Sequence, residues 1–142
     1  MAQTNGIVRM EIAYQGELRC QATHGPSGQM ICTDAPVDNN GKGESFSPTD
    51  LVATALGACM LTIMGIVAER NQVDLSGSNV VVTKEMTKTG IRRIERLGVT
   101  ITIPHDIPQG VQMALTSAAE VCPVFKSLNP EIDVNITFFW GK

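Results

Sequence analysis

Alternating apolar and polar residues predict three short strands in the first part of the chain. Residues 7–14 alternate in this way, a turn is expected at 15–16, and residues 17–23 alternate again. A second turn at 24–28 leads into a short third strand at 29–33. Because strands joined by tight turns pair in opposite directions, we predict an N-terminal antiparallel β-meander.

The longest predicted element is an apolar helix that begins at Ser47. Ser47 is the expected N-cap, Pro48 suits the first helical position, and Asp50 completes an arrangement like a capping box. The helix should run to about Asn71, a length of roughly 35 Å. Residues 51–68 carry no charge, and a segment of this length is at the lower limit for a helix that spans a membrane. The residues on either side lack the basic belt that is typical of membrane-spanning helices. We therefore predict a core helix that is buried on all sides, partly by a partner subunit, with no membrane contact.

The second part of the chain predicts a long β-hairpin, a second helix and a last strand. Residues 75–88 and 91–103 alternate on either side of a short turn, and residues 132–140 alternate again. Residues 109–121 have the periodicity of an amphipathic helix. This helix should end at Cys122, because a residue that precedes proline avoids the helical conformation.

Length and composition fit one α+β domain over residues 1–142. The 15.2 kDa chain has 43% hydrophobic and 18% charged residues, which is typical of folded domains rather than disordered ones. A net charge of −3 and an aromatic content of 4% disfavour a nucleic-acid partner, which needs a basic surface or stacking aromatics. The N-terminus lacks the pattern of a signal peptide, so we expect a cytoplasmic protein.

Four cysteines, at positions 20, 32, 59 and 122, are the main candidates for chemistry. They form no CxxC pair, which disfavours zinc-ribbon and thioredoxin-like sites. Cys59 lies in the middle of the long helix, where cysteine is often a small buried hydrophobic residue. If Cys59 is instead a nucleophile, its thiolate needs a side-chain cation, because the helix N-terminus is roughly 18 Å away and dipole effects fade within one turn. We expect packing roles for Cys20 and Cys32.

Two local environments are open for Cys122. At the end of the second helix it would face the negative end of the helix dipole and remain a thiol. As the N-cap of a short helical turn that begins at Pro123, it would face backbone N–H groups and ionise more readily. Both positions lie at a helix end, so we expect Cys122 to be more accessible than a residue in the middle of a helix.

Three motifs in this order resemble the OsmC/Ohr family, the osmotically inducible and organic hydroperoxide resistance proteins. They are Ser-Pro-x-x-Leu from Ser47, Ala-Leu-Gly-Ala-Cys ending at Cys59, and Cys-Pro-Val-x-x-Ser-Leu from Cys122. The resemblance covers nearly the whole chain, from the meander to the last strand. It implies an intertwined homodimer with active sites at the subunit interface, which would explain a central helix that is apolar on every side.

The resemblance also implies a thiol-dependent peroxidase that reduces organic hydroperoxides. Cys59 matches the peroxidatic cysteine of the family and Cys122 the resolving cysteine. The reaction would pass through a Cys59 sulfenic acid and a Cys59–Cys122 disulfide, which a dithiol such as a lipoyl group would reduce. No metal or bound cofactor is required by this chemistry.

The chain departs from the family pattern beside the helix start. Peroxidases of the family carry a glutamate directly after the helix-start proline, paired with an arginine that activates the thiolate, and this chain has Thr49 there. Glu44 in the preceding loop is the candidate substitute, and Arg19 on the meander is the candidate arginine. These differences indicate a divergent branch of the family.

Two other functions remain open from the sequence. The first is a non-enzymatic dimeric binding protein for a small apolar ligand, with redox-sensing or vestigial cysteines. The second is an RNA-binding or scaffolding dimer that uses the charged hairpin tip, which the sequence pI of about 5.3 disfavours.

Overall fold

The structure is a computed structural model that describes residues 6–141. Contacts divide the chain into two compact units, Met1–Leu51 and Val52–Lys142, and each contains its own three-stranded sheet. This combination of sheets and helices confirms the predicted α+β class. Most of the N-terminal stretch on which the expectation of no signal peptide rests lies outside the described residues.

The first unit contains the predicted antiparallel meander. Its strands are β1 (Met10–Gly16), β2 (Arg19–His24) and β3 (Met30–Asp34), paired in the order β1-β2-β3. The first turn lies at Glu17 and Leu18, two residues later than expected, and both residues have positive φ, 53° and 65°. A two-residue turn with this backbone matches the twist of the flanking strands, which explains its preference over the predicted position.

A capping box starts helix α1 (Pro48–Arg70), as the sequence predicts. The backbone N–H of Ser47 donates to Asp50 Oδ2 at 2.9 Å, and the backbone N–H of Asp50 donates to Ser47 Oγ at 3.1 Å. The two bonds satisfy backbone donors that a helix start otherwise leaves unpaired. Asp50 is therefore committed to the helix start.

Helix α1 is buried along one face and exposed along another in the single chain, and the predicted cover of the exposed face by a partner subunit stays a prediction. Its buried residues are Ala53, Leu56, Gly57, Met60, Met64 and Ala68. Its exposed residues between Leu51 and Ala68 are Thr54, Ala55, Ala58, Thr62 and Ile66. Among the described residues it is the one helix long and apolar enough to cross a membrane, with a mean hydropathy of 2.2, a criterion that core helices also meet.

The second unit is organised around a mixed sheet. Strand β5 (Ile94–Ile103) lies between β4 (Asn79–Met86), to which it is antiparallel, and β6 (Asp133–Trp140), to which it is parallel. Helices α2 (Gln109–Glu120) and α3 (Pro123–Ser127) connect β5 to β6, because a parallel pair requires a crossover. Cys122 lies between these two helices.

The core of the second unit forms between the central strand and two helices. Its fully buried large side chains are Leu56, Met60 and Met64 of α1, Leu97, Val99, Ile101 and Ile103 of β5, and Leu115 of α2. Cys122 is buried in the same cluster, and Cys59 packs against it.

Candidate active site

Cys59 lies in the middle of α1, half-buried, next to the inward-facing Met60. It has contact with the core of the second unit, as the packing interpretation requires, and retains part of its exposure. Its position far from Pro48, the first helical residue, removes it from the influence of the helix N-terminus. Any stabilisation of a thiolate here must therefore come from neighbouring side chains.

Cys122 is the N-cap of α3, which decides between the two environments that the sequence left open. Its backbone is extended (φ −61°, ψ 143°), Pro123 occupies the next position, and the Sγ atom accepts the Phe125 N–H at 3.3 Å. The expectation that Cys122 would be the more accessible cysteine is wrong, because its exposed fraction is 0%. Cys122 lies between α2 and α3 and is enclosed by the core of the second unit.

The structure brings the thiols of Cys59 and Cys122 into direct interaction, and both cysteines are free. Burial is the main cause that raises the pKa of Cys122. The hydrogen bond that Cys122 accepts from the Phe125 N–H lowers this pKa, whereas the hydrogen bond and the charge interaction with Cys59 raise it. Cys122 is thus kept in the neutral thiol form beside the more accessible Cys59. The structure therefore places a buried, protonated thiol beside a more accessible one.

Arg19 and Glu44, the two charged residues singled out from the sequence, form an ion pair in the first unit. An Nη2 atom of Arg19 donates to Glu44 Oε1 and lies 3.5 Å from Asp34 Oδ2. The hydrogen bond that Arg19 donates to Glu44 is the main cause that raises the pKa of Arg19, and the charge of Asp34 adds to it. Glu44 is therefore a carboxylate partner of Arg19, and its role as a substitute for the family glutamate at the position of Thr49 stays a prediction.

Asp34 is a charged residue of this cluster that sequence reasoning missed. Its side chain is 1% exposed, and Oδ2 accepts the backbone N–H of Glu44 at 3.0 Å. That hydrogen bond is the main cause that lowers the pKa of Asp34, followed by the charge of Arg19. The signal that could have found it is the strand register, which sets Asp34 directly opposite Arg19.

The other two cysteines are separated by the pleat of the first sheet. Cys20 is paired with Thr33 and Cys32 with Gln21, so the two thiols project from opposite faces. Cys20 is half-buried, whereas Cys32 is exposed, so the packing role expected for Cys32 is wrong. Within residues 6–141, no three His, Cys, Asp or Glu side chains are grouped as a metal site.

Comparison with known proteins places this chain among OsmC-like proteins. The family model described as OsmC-like protein matches residues 41–137. A crystal structure from Psychrobacter arcticus, of a protein attributed to osmotic stress induction and the detoxification response, is 42% identical, with a TM-score of 0.88 over 96% of this chain and 99% of that one. Among curated protein sequences, none is significantly similar to the chain.

Two more distant structures share the fold. The organic hydroperoxide resistance protein OsmC of Legionella pneumophila is 17% identical, with a TM-score of 0.75 over 96% of this chain and 99% of that one. An organic hydroperoxide resistance protein of Elizabethkingia anophelis is 16% identical, with a TM-score of 0.76 over 97% and 99%. At these identities the likeness concerns the fold alone.

Proposed function

Because the chain belongs to the OsmC-like family, we propose that it is a thiol-dependent peroxidase that reduces organic hydroperoxides. The observation that carries this proposal is the interaction of two free thiols, Cys59 and Cys122, one half-exposed and one buried. The names of the Legionella and Elizabethkingia relatives support an organic hydroperoxide as the substrate. The structure of the pair supports a two-cysteine mechanism, developed below.

In the first step the Cys59 thiolate attacks one oxygen of the hydroperoxide. The S–O bond forms as the O–O bond breaks, and the departing alkoxide takes up a proton and leaves as the alcohol. Cys59 becomes a sulfenic acid, so the sulfur is oxidised and the peroxide reduced by two electrons. Its partial exposure favours Cys59 over the enclosed Cys122 as the residue that meets the substrate.

In the second step the sulfur of Cys122 attacks the sulfenic sulfur of Cys59. The S–S bond forms as the S–O bond breaks, and the hydroxide leaves as water with the proton that Cys122 gives up. An external dithiol, with a lipoyl group as the proposed type, then reduces this disulfide by two exchange reactions and is itself oxidised. The sum is one hydroperoxide and one dithiol converted to one alcohol, one water and one disulfide.

Arg19 is proposed as the cation that stabilises the Cys59 thiolate, with Glu44 as its carboxylate partner. The ion pair between Arg19 and Glu44 supports this role, because a guanidinium held by a carboxylate keeps its orientation. The need for a cation follows from the mid-helix position of Cys59. We further propose that the protein works in the cytoplasm as a homodimer, which the exposed apolar face of α1 supports.

The test is the mass and thiol content of the reduced protein before and after one equivalent of cumene hydroperoxide. Wild type should lose two titratable thiols and the mass of two hydrogen atoms. Cys122→Ser should instead gain one oxygen atom, because the sulfenic acid has no resolving partner, and Cys59→Ser should not react. Cys32→Ser, which removes an exposed thiol, is the matched control and should behave as wild type.

Retention of all four thiols in wild type would contradict the peroxidase. The remaining candidate would then be the dimeric binding protein with a small apolar ligand. A ligand that co-purifies with the protein and appears in native mass spectra would support that alternative.

A further inference from the structure

A buried carboxylate, Asp34, forms a second ion pair with Arg19 next to the Arg19–Glu44 ion pair. Asp34 and Arg19 are direct partners in the β2–β3 register, so the strand ladder sets the distance between their backbones. The Asp34 side chain is 1% exposed, whereas the Glu44 side chain is 64% exposed. Arg19 is therefore paired with two carboxylates of very different exposure.

Arg19 and the backbone amides of Glu44 and Ala35 stabilise the charged form of Asp34, and the Glu44 amide makes the largest contribution. A buried carboxylate is costly unless hydrogen bonds and an opposite charge compensate it. Oδ2 accepts the Glu44 N–H at 3.0 Å and faces Arg19 Nη2 at 3.5 Å. Oδ1 is buried with no hydrogen-bond partner among the described residues, so these contacts carry most of the compensation.

The same residue also fixes the loop that presents Glu44. The Asp34 N–H donates to Phe46 O at 3.0 Å, and the Gly43 N–H donates to Ala35 O at 3.1 Å. Together with the bond from the Glu44 N–H, these contacts tie both ends of residues 35–46 to the end of β3. Displacing the Asp34 carboxylate would thus disturb both partners of the ion pair.

We infer that Asp34 is a positioning residue for the proposed reaction, which holds the Arg19 guanidinium and the Glu44 loop in one fixed arrangement. This inference rests on the proposed function, and Asp34 acts only through Arg19. An ion pair with the exposed Glu44 alone would not fix the orientation of the guanidinium, since exposed ion pairs hold their geometry weakly. The second ion pair, with the buried Asp34 on the neighbouring strand, fixes that orientation.

The experiment compares Asp34→Asn with Glu17→Gln, a control that removes an exposed carboxylate paired with Lys42 in the same unit. In Asp34→Asn we expect the Arg19 Nε–Hε signal to exchange faster with water in NMR spectra. We also expect kcat/KM for cumene hydroperoxide to fall about tenfold or more, because small misplacements of catalytic groups cost up to about 100-fold. Glu17→Gln should match wild type in both.

The rate of Cys59 alkylation at one fixed pH separates positioning from a simple charge effect. Loss of a negative charge alone should make Cys59 react faster with an alkylating reagent, because the thiolate is the reactive form. Loss of Arg19 positioning should make Cys59 react more slowly, and that is the expected result. In an Arg19→Met background, Asp34→Asn should cause no further loss of activity, because the residue through which it acts is gone.

Glu44→Gln tests the same assignment without changing a buried charge. Arg19 should keep its slow exchange in this variant, because Asp34 still holds it; fast exchange would show that Glu44 alone holds Arg19 and would overturn the inference. An unchanged Arg19 signal and unchanged kcat/KM in Asp34→Asn would overturn it too, while leaving the peroxidase intact. A wild type without peroxide turnover, but with the expected exchange rates, would refute only the function.

Discussion

At the scale of single residues, the backbone around Cys122 determines its chemistry more than its neighbours in sequence do. An N-cap position usually makes a thiol more acidic, and the Phe125 N–H does act in that direction. Burial outweighs this hydrogen bond, so the pKa of Cys122 is raised. In the proposed mechanism, a resolving thiol that stays protonated does not compete with Cys59 for the peroxide, which is consistent with the proposed order of reaction.

The raised pKa of Cys122 predicts a fall in stability at alkaline pH. The unfolded thiol loses its proton near its ordinary value of 9.0, below the pKa of the folded one, so above this pH the unfolded state binds fewer protons. The stability contributed by this group is complete below about pH 9 and is lost as the pH rises through the folded pKa. Urea unfolding of the reduced protein from about pH 7 to about pH 10 should show the decline in wild type.

Cys122→Ala should lessen that decline, and Cys32→Ala, which removes an exposed thiol, should retain it. An identical pH dependence in wild type and Cys122→Ala would contradict the prediction.

Two contacts among the candidate residues were predictable from the sequence, but a third member of the charged cluster was not. The resemblance paired Cys59 with Cys122, the departure at Thr49 suggested Glu44 as a partner for Arg19, and the structure contains both contacts. Asp34 escaped notice because its importance comes from burial and from the residue opposite it on the next strand. Neither property can be read from the amino acids beside it.

At the scale of secondary structure elements, Gly57 sets how closely α1 approaches β4. A Cβ atom at this position would lie 2.8 Å from Val82 Cγ2 and 3.0 Å from Val80 Cγ1. Valine has little rotamer freedom with which to yield, so the helix would have to move. The small residue is therefore required by packing, in spite of its low helix propensity.

Gly57→Ala should destabilise the protein by about 1–2 kcal/mol, because overpacking of about 1–3 kcal/mol exceeds a gain in helix propensity of up to about 1 kcal/mol. Gly65→Ala in the same helix is the control, since its added Cβ meets no atom of the chain within 4 Å. Thermal unfolding measures both. A stable Gly57→Ala would contradict the close approach, and a loss of stability at Gly65 would reveal a neighbour from another chain.

Elements with local signals were predicted well, and those that depend on long-range pairing less so. The start of α1 is confirmed at Pro48 because a capping box involves residues three apart. The first hairpin turn lies two residues after the predicted position, at Glu17 and Leu18. A two-residue turn with positive φ at both positions matches the twist of the paired strands, and this pairing is not visible in the local sequence. The parallel pairing of β5 and β6 has no local signature, since it depends on the crossover between them.

At the scale of the whole molecule, the exposed face of α1 predicts self-association. The helix is apolar throughout its middle, yet Ala55, Ala58 and Ile66 are exposed in the single chain. An apolar surface of this kind is typical of an interaction site. Light scattering coupled to size exclusion should give a mass twice the 15.2 kDa of one chain.

Ile66→Glu should shift this mass toward that of one chain, because a charge in an apolar interface would be desolvated without a partner. Glutamate is a good helix former, so the helix itself should be retained. Met113→Glu places the same charge on an exposed apolar residue of α2 and should leave the mass unchanged. A single-chain mass for wild type would refute the homodimer.

The sequence by itself determined the α+β class, the meander, the capped apolar helix and the order of the cysteine motifs. These features follow from patterns within a few residues, where backbone geometry and side-chain periodicity act directly. Tertiary structure alone decided that Cys59 meets Cys122, that Arg19 lies opposite Asp34, and that one face of α1 stays exposed. Burial, strand register and contacts between distant segments arise only when the whole chain packs.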